Sequence, residues 1–142
     1  MNFTELFIRR PVMTTLVMIG ILLFGILGYR LLPVSDLAKL VNSTLEKYGR
    51  IDAVVNNTGH PPKGDILDIS DADWHLGLDM LILNVVRMAR LVTPIFMKQG
   101  GGTIVNISTF SAFEPDLSFP VSSTLRSGLA SFIKLYANRY AE

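Results

Sequence analysis

The chain has 142 residues, 49% of them hydrophobic and 18% charged, with a formal net charge of +1 and no cysteine. That length holds one modest domain, or a membrane helix with part of one, and not two complete domains. The only basic cluster is Arg9-Arg10, which is no electrostatic footprint for nucleic acid, and the lack of cysteine excludes disulfides and thiol chemistry.

In chain order, the first feature is "PVMTTLVMIGILLFGILGY", a charge-free run between Arg10 and Arg30. A helix of about 19 residues reaches roughly 28 Å, close to the hydrocarbon thickness of a bilayer. Only Thr14 and Thr15 are polar, so there is no hydrophilic stripe of the kind a soluble helix turns to water. Pro11 suits a first helical turn, where its missing N–H has no partner to lose. Residues 11–32 are therefore expected to form a transmembrane helix. No A-x-A-like site follows, which favours an uncleaved anchor over a signal peptide. Arg9 and Arg10 on one side and Arg30 and Lys39 on the other leave the orientation undecided.

The stretch "NFTELFIRRPVMTTLVMIGILLFGILGYRLLPVSDL" resembles the N-terminus of resistance-nodulation-division efflux pumps. In that family a short interfacial helix ending in F-I-x-R-P leads into the first transmembrane helix and then into G-Y-x-x-L-P-V-S-x-L-P. The resemblance implies an interfacial segment over 1–10 and a location in the bacterial inner membrane as a single-pass protein. It stops at Leu37, where Ala38-Lys39-Leu40 replaces the family's proline-bearing continuation. The pump's proton-relay residues belong to later helices, so drug transport by this chain alone is not expected.

From Asp36 the pattern changes. "DLAKLVNSTLEKYG" puts Leu37, Leu40, Val41 and Leu45 on one helical face and ends at Gly49. "RIDAVVNNTG" reads as a short buried strand running into a loop. "SDADWHLGLDMLILNVVRMARLVTPIFMKQ" opens on a capping box of Ser70 and Asp73 and continues as a helix, with Pro94 as a kink position. After "GGG", "TIVNIS" is a second strand, and "SSTLRSGLASFIKLYANRYAE" is a closing amphipathic helix. This alternation predicts an α/β fold. His60 and His75 have no Cys or H-E-x-x-H partner, so no metal site is expected.

"GRIDAVVNNTG" is similar to the G-x-[IL]-D-x-[LV]-V-N-N-A-G of short-chain dehydrogenases/reductases, with Thr58 in place of Ala, and "LILNVVRMARLVTPIFMKQGGGTIVNIST" resembles the helix and strand that come next in that family. This second resemblance covers about residues 35–142. The "VSDL" of the 33–37 junction suits both families. The combined expectation is one transmembrane helix followed, over 38–142, by an incomplete Rossmann-like, doubly wound parallel sheet with two strands evident and no Gly-rich cofactor motif.

The resemblance also implies a site. The family reduces carbonyls with a Tyr-x-x-x-Lys pair, an upstream Ser and an Asn that orients the lysine through water. In this sequence Thr109 falls at the serine position, Ser122 at the tyrosine position, Arg126 at the lysine position, and Asn84 is the family's own residue. Ser122 and Arg126 keep the i, i+4 spacing of one helical face. Tyrosine titrates near 10 and a neighbouring cation brings it towards neutrality; an aliphatic hydroxyl needs a far larger shift. Capping the last helix is therefore the expected role of Ser122. By the same resemblance Asn56, Asn57 and Gly59 line the cofactor cleft, with Arg126 as a contact to ribose or phosphate, and the cofactor is NAD or NADP. "GGGT" at 100–103 lies in a helix-to-strand turn, the wrong context for a dinucleotide.

The function expected from the sequence is a membrane-anchored, incomplete reductase-like fragment without competent hydride transfer of its own. The alternatives are a truncated efflux-pump fragment and a catalytically silent structural or interaction protein arising from a fusion or a misassembly. Expected partners are the lipid bilayer and either further copies of the chain or a complementing dehydrogenase, with neither nucleic acid nor metal.

Overall fold

The computed structural model describes residues 36–141. The interfacial segment, the transmembrane helix and most of the junction lie outside the described residues. The chain divides between Lys39 and Leu40, and the α/β elements belong to the unit Leu40–Glu142.

Residues 36–48 are helical (α1). Val41 is its buried residue, whereas Leu40, placed on the same face by the sequence pattern, is 58% exposed. Gly49 ends the helix at φ +75°, a left-handed conformation that glycine adopts without a Cβ penalty, and its N–H bonds the Leu45 carbonyl at 2.8 Å. The next strand is β1, Ala53–Asn56. Helix α2 spans Asp71–Leu78, a π-turn Asp79–Leu83, and helix α3 Asn84–Gln99. Strand β2 is Thr103–Asn106, a 3-10 turn covers Phe110–Ala112, and helix α4 spans Pro120–Tyr140.

The two strands pair in parallel, Ala53 opposite Thr103 through Asn56 opposite Asn106, and form the sheet of the described residues. Burial alternates along both strands. Val54 and Ile104 turn to the half-buried face, while Val55 and Val105 are 62% and 42% exposed on the other. A parallel sheet is ordinarily covered on both faces, and among the described residues one face of this sheet is open. The expectation of an α/β fold with two parallel strands holds.

The core lies where the α2–π–α3 run packs on α4. Leu81, Val85, Val92, Val121 and Leu129 are essentially inaccessible, and each such side chain contributes roughly 1.5–3 kcal/mol by burial. By length and composition the run Asp71–Gln99 is apolar enough to cross a membrane. Val85, Met88, Ala89, Val92 and Phe96 are nevertheless buried within this unit.

Ser70 caps α2 as expected. Its Oγ accepts from the Asp73 N–H at 3.2 Å and donates to the Asp73 carboxylate at 2.9 Å. The sequence pattern did not reveal the π-turn, at whose end the Asn84 N–H reaches back to the Asp79 carbonyl. Arg87 pairs with Asp79 across it at 2.7 Å. Pro94 lies within α3, which runs on to Gln99.

One expectation needs correction. Ser122 does not cap α4: the cap position is Phe119, and Pro120 enters at the first turn, two residues ahead of Ser122. Proline suits that position because its fixed φ is helical and its absent N–H leaves no orphan donor. Ser122 is thereby drawn into the helix, where its hydroxyl accepts from Arg126 one turn on.

Candidate functional site

The carboxyl ends of the two parallel strands lie side by side, since Asn56 and Asn106 are in register. The loops that leave them carry Asn57-Thr58-Gly59 and Ile107-Ser108-Thr109. In open α/β sheets this is the end where ligands bind. The first turns of α4 bring Ser122 and Arg126 to it.

Arg126 is 6% exposed. Its Nε donates to Ser122 Oγ at 3.2 Å, its Nη1 to the Ile107 carbonyl at 3.0 Å, and its Nη2 to the Gly59 carbonyl at 3.5 Å. One guanidinium therefore ties the helix to the end of each strand. All three acceptors are neutral, and no carboxylate pairs with Arg126 among the described residues. Burial pushes the guanidinium pKa below its ordinary value, because the low-dielectric surroundings disfavour the charged form. Arginine remains a cation even so.

The other sequence-derived residues divide. Asn56 Nδ2 donates to Asn106 Oδ1 at 2.9 Å, which commits Asn56 to the sheet. Asn57 and Gly59 are exposed at the strand end. A Cβ on Gly59 would stand 3.2 Å from Met80 Cε, so the backbone passes close to the π-turn there. The Asn84 side chain makes no hydrogen bond among the described residues. Thr109 accepts a long bond from Ser111 Oγ at 3.4 Å, and nothing links it to Ser122 or Arg126. The structure thus brings Ser122, Arg126 and Gly59 together and leaves Asn84 and Thr109 unconnected to them.

Two participants were not read from the sequence. The Ile107 carbonyl is a main-chain atom and carries no side-chain signal. Thr58 Oγ1 is buried without a hydrogen-bond partner; its signal was available as the departure from Ala in the N-N-A-G pattern.

Chemically, the arrangement holds a cation and a hydroxyl in a fixed pair. Ser122 accepts the Nε–H, so its own proton remains free to donate, but an aliphatic hydroxyl starts too far above neutrality for one adjacent cation to bring it there. The bonds to Ser122, Ile107 and Gly59 use three of the five guanidinium N–H donors.

The family model for short chain dehydrogenases matches residues 30–142. The chain belongs to that family. The match begins ahead of residue 35, where the resemblance in the sequence starts, and includes the 33–37 junction. Among curated dehydrogenases of the family, the chain is 32% identical over 124 residues to 2-dehydro-3-deoxy-D-gluconate 5-dehydrogenase of Escherichia coli, covering 82% of this chain and 49% of that protein. It is 30% identical over 110 residues to the enzyme of the same name from Dickeya dadantii, covering 77% and 44%. Among solved structures, the L-sorbose reductase of Gluconobacter frateurii complexed with NADPH and L-sorbose superposes with a TM-score of 0.70 at 26% identity, over 75% of this chain and 40% of that one. This dehydrogenase-family chain thus spans less than half the length of the relatives it matches.

For a nicotinamide cofactor the residues present fit in part. Asn57 and Gly59 stand open at the strand end, whereas Arg126, at the lysine position, is held by internal acceptors.

Proposed function

We propose that this short-chain dehydrogenase is a membrane-anchored, reductase-like protein that does not transfer hydride on its own. The observation that carries the reading is the Arg126 guanidinium, whose bonds to Ser122, Gly59 and Ile107 turn the catalytic pair of the family into a strut. Serine at the tyrosine position supplies no proton donor near neutrality. The cofactor class of the fold remains NAD or NADP, with Asn57 and Gly59 as the residues open to it. The uncharged run over 11–32 supports anchoring in a bacterial inner membrane, with the lipid bilayer as a partner. The efflux-pump-like pattern up to Leu37 supports the same location.

The test is titration of the full-length protein, in detergent micelles, with NADH and NADPH followed by cofactor fluorescence, together with reduced-cofactor oxidation against ketones and aldehydes. Neither saturable binding at low micromolar cofactor nor turnover is expected. A dissociation constant near 1 μM, about −8 kcal/mol, would overturn the reading.

A further inference from the structure

Arg126 is the one charged side chain that is buried among the described residues. No carboxylate pairs with it there. A nearby carboxylate would hold the guanidinium pKa up, whereas burial is the cause acting on it and pushes it down. A cation taken out of water without an opposite charge is costly, and three neutral acceptors offset only part of that cost.

The groups left over around it are donors. With Ser122, Ile107 and Gly59 as acceptors, one N–H remains on each of Nη1 and Nη2. The Ser122 hydroxyl, which accepts from Nε, keeps its own proton, and that proton meets no acceptor among the described residues. In the loop that supplies the Gly59 carbonyl, Thr58 Oγ1 is also buried without a partner. An acceptor that carries negative charge would complete this set. It has a way in, because Asn57, Gly59, Ile107 and Ser108 are exposed at the carboxyl end of the two strands, so the guanidinium lies directly beneath surface residues.

We infer that Arg126 and Ser122 bind the carboxylate group of a small organic acid. Charge balance selects that class. A single buried cation is neutralised by a monoanion, whereas a phosphate group near its second ionisation brings excess negative charge to a place with no second buried cation. A carboxylate is planar and accepts at both oxygens, which suits guanidinium N–H groups together with a hydroxyl. The acid supplies the counter-charge that the described residues lack, while the three internal bonds hold Arg126 in place to receive it. The ligand is not a nicotinamide cofactor and no hydride moves. The inference rests on the same Arg126 geometry as the proposed function, and leaving cofactor out of its test lets the two fail separately.

The probe is sodium acetate, titrated into the full-length chain in non-ionic detergent micelles at constant ionic strength. Binding is read by saturation-transfer NMR of the acetate methyl signal, with circular dichroism confirming that each variant is helical. Saturable binding with a dissociation constant on the order of 1 mM is expected, as suits a small ligand held by a few charge-assisted hydrogen bonds. Arg126→Gln removes the charge and should abolish binding. Ser122→Ala removes one donor at a helical position that alanine favours, and should weaken binding roughly tenfold. Arg90→Gln, at an exposed position on α3, should leave it unchanged. No saturable binding to the folded parent, parent-like binding by Arg126→Gln or by Ser122→Ala, or an equal loss in Arg90→Gln would overturn the inference. So would tighter binding of inorganic phosphate at the same ionic strength, since charge balance would then not select the ligand.

Discussion

Arg126 Nε lies 3.2 Å from Ser122 Oγ, one helical turn back along α4, and the same guanidinium reaches the Ile107 and Gly59 carbonyls at 3.0 and 3.5 Å. One side chain thereby links α4 to the segments that leave both strands.

If that joint is structural, its loss is read in stability. Arg126→Ala removes three hydrogen bonds, two to part-buried carbonyls and one to a hydroxyl, each worth about 0.5–1.5 kcal/mol, partly offset by release of a desolvated charge. A net loss of roughly 2–3 kcal/mol is expected in urea unfolding followed by Trp74 fluorescence. Arg126→Lys, which keeps the charge but not the fork of donors, should fall between the two. Equal stability of Arg126→Ala and the parent would remove the strut.

Restoring the family pair should not restore chemistry. For Ser122→Tyr with Arg126→Lys we expect no NADPH oxidation above background with ketones or aldehydes. A general acid contributes about 10²- to 10⁴-fold only where a hydride donor is already held beside the substrate, and the sequence has no G-x-G-x-x-G turn to hold it. Turnover by the double variant would show that the cofactor cleft is complete.

Thr58 Oγ1 is buried without a partner. Thr58→Val keeps the branched shape and removes the unsatisfied hydroxyl, so it should stabilise the fold by about 1 kcal/mol. A destabilised variant would mean that the hydroxyl has a partner, water included.

Gly77 packs α2 on α4. A Cβ there would stand 2.5 Å from Val121 Cγ1 and 3.0 Å from Leu125 Cδ1. Gly77→Ala is helical by preference yet should cost roughly 1–3 kcal/mol through overpacking. Thermal unfolding by circular dichroism decides between the two effects, and an unchanged or raised midpoint would show that the helices part without cost.

Anchoring predicts retention in the membrane pellet after carbonate extraction of the full-length protein, and release on deletion of residues 11–32. Full-length protein in the soluble fraction would refute it.

Elements with local causes were legible in the sequence. Gly49 ends α1 because glycine reaches positive φ without strain, and Ser70 with Asp73 opens α2 because side chain and backbone satisfy each other within one turn. The two strands followed from short β-branched runs between turn signals, and their parallel pairing from the helices between them. The N-N-T-G loop and the i, i+4 pair meet at the carboxyl end of the two strands.

What the tertiary structure alone decided are roles shared between distant segments. Gln99 holds the entry to β1 by donating to the Ile51 carbonyl at 2.5 Å, a contact across 48 positions that no local pattern encodes. Whether Ser122 caps a helix or meets Arg126 depended on Pro120 moving the helix start two residues earlier. Whether Arg126 faces a ligand or fills the cleft depended on the Gly59 and Ile107 carbonyls, main-chain atoms identical in every sequence and placed only by the register of β1 on β2. Composition and periodicity report how each segment meets water; which acceptor a long cation finds is settled only when the segments pack.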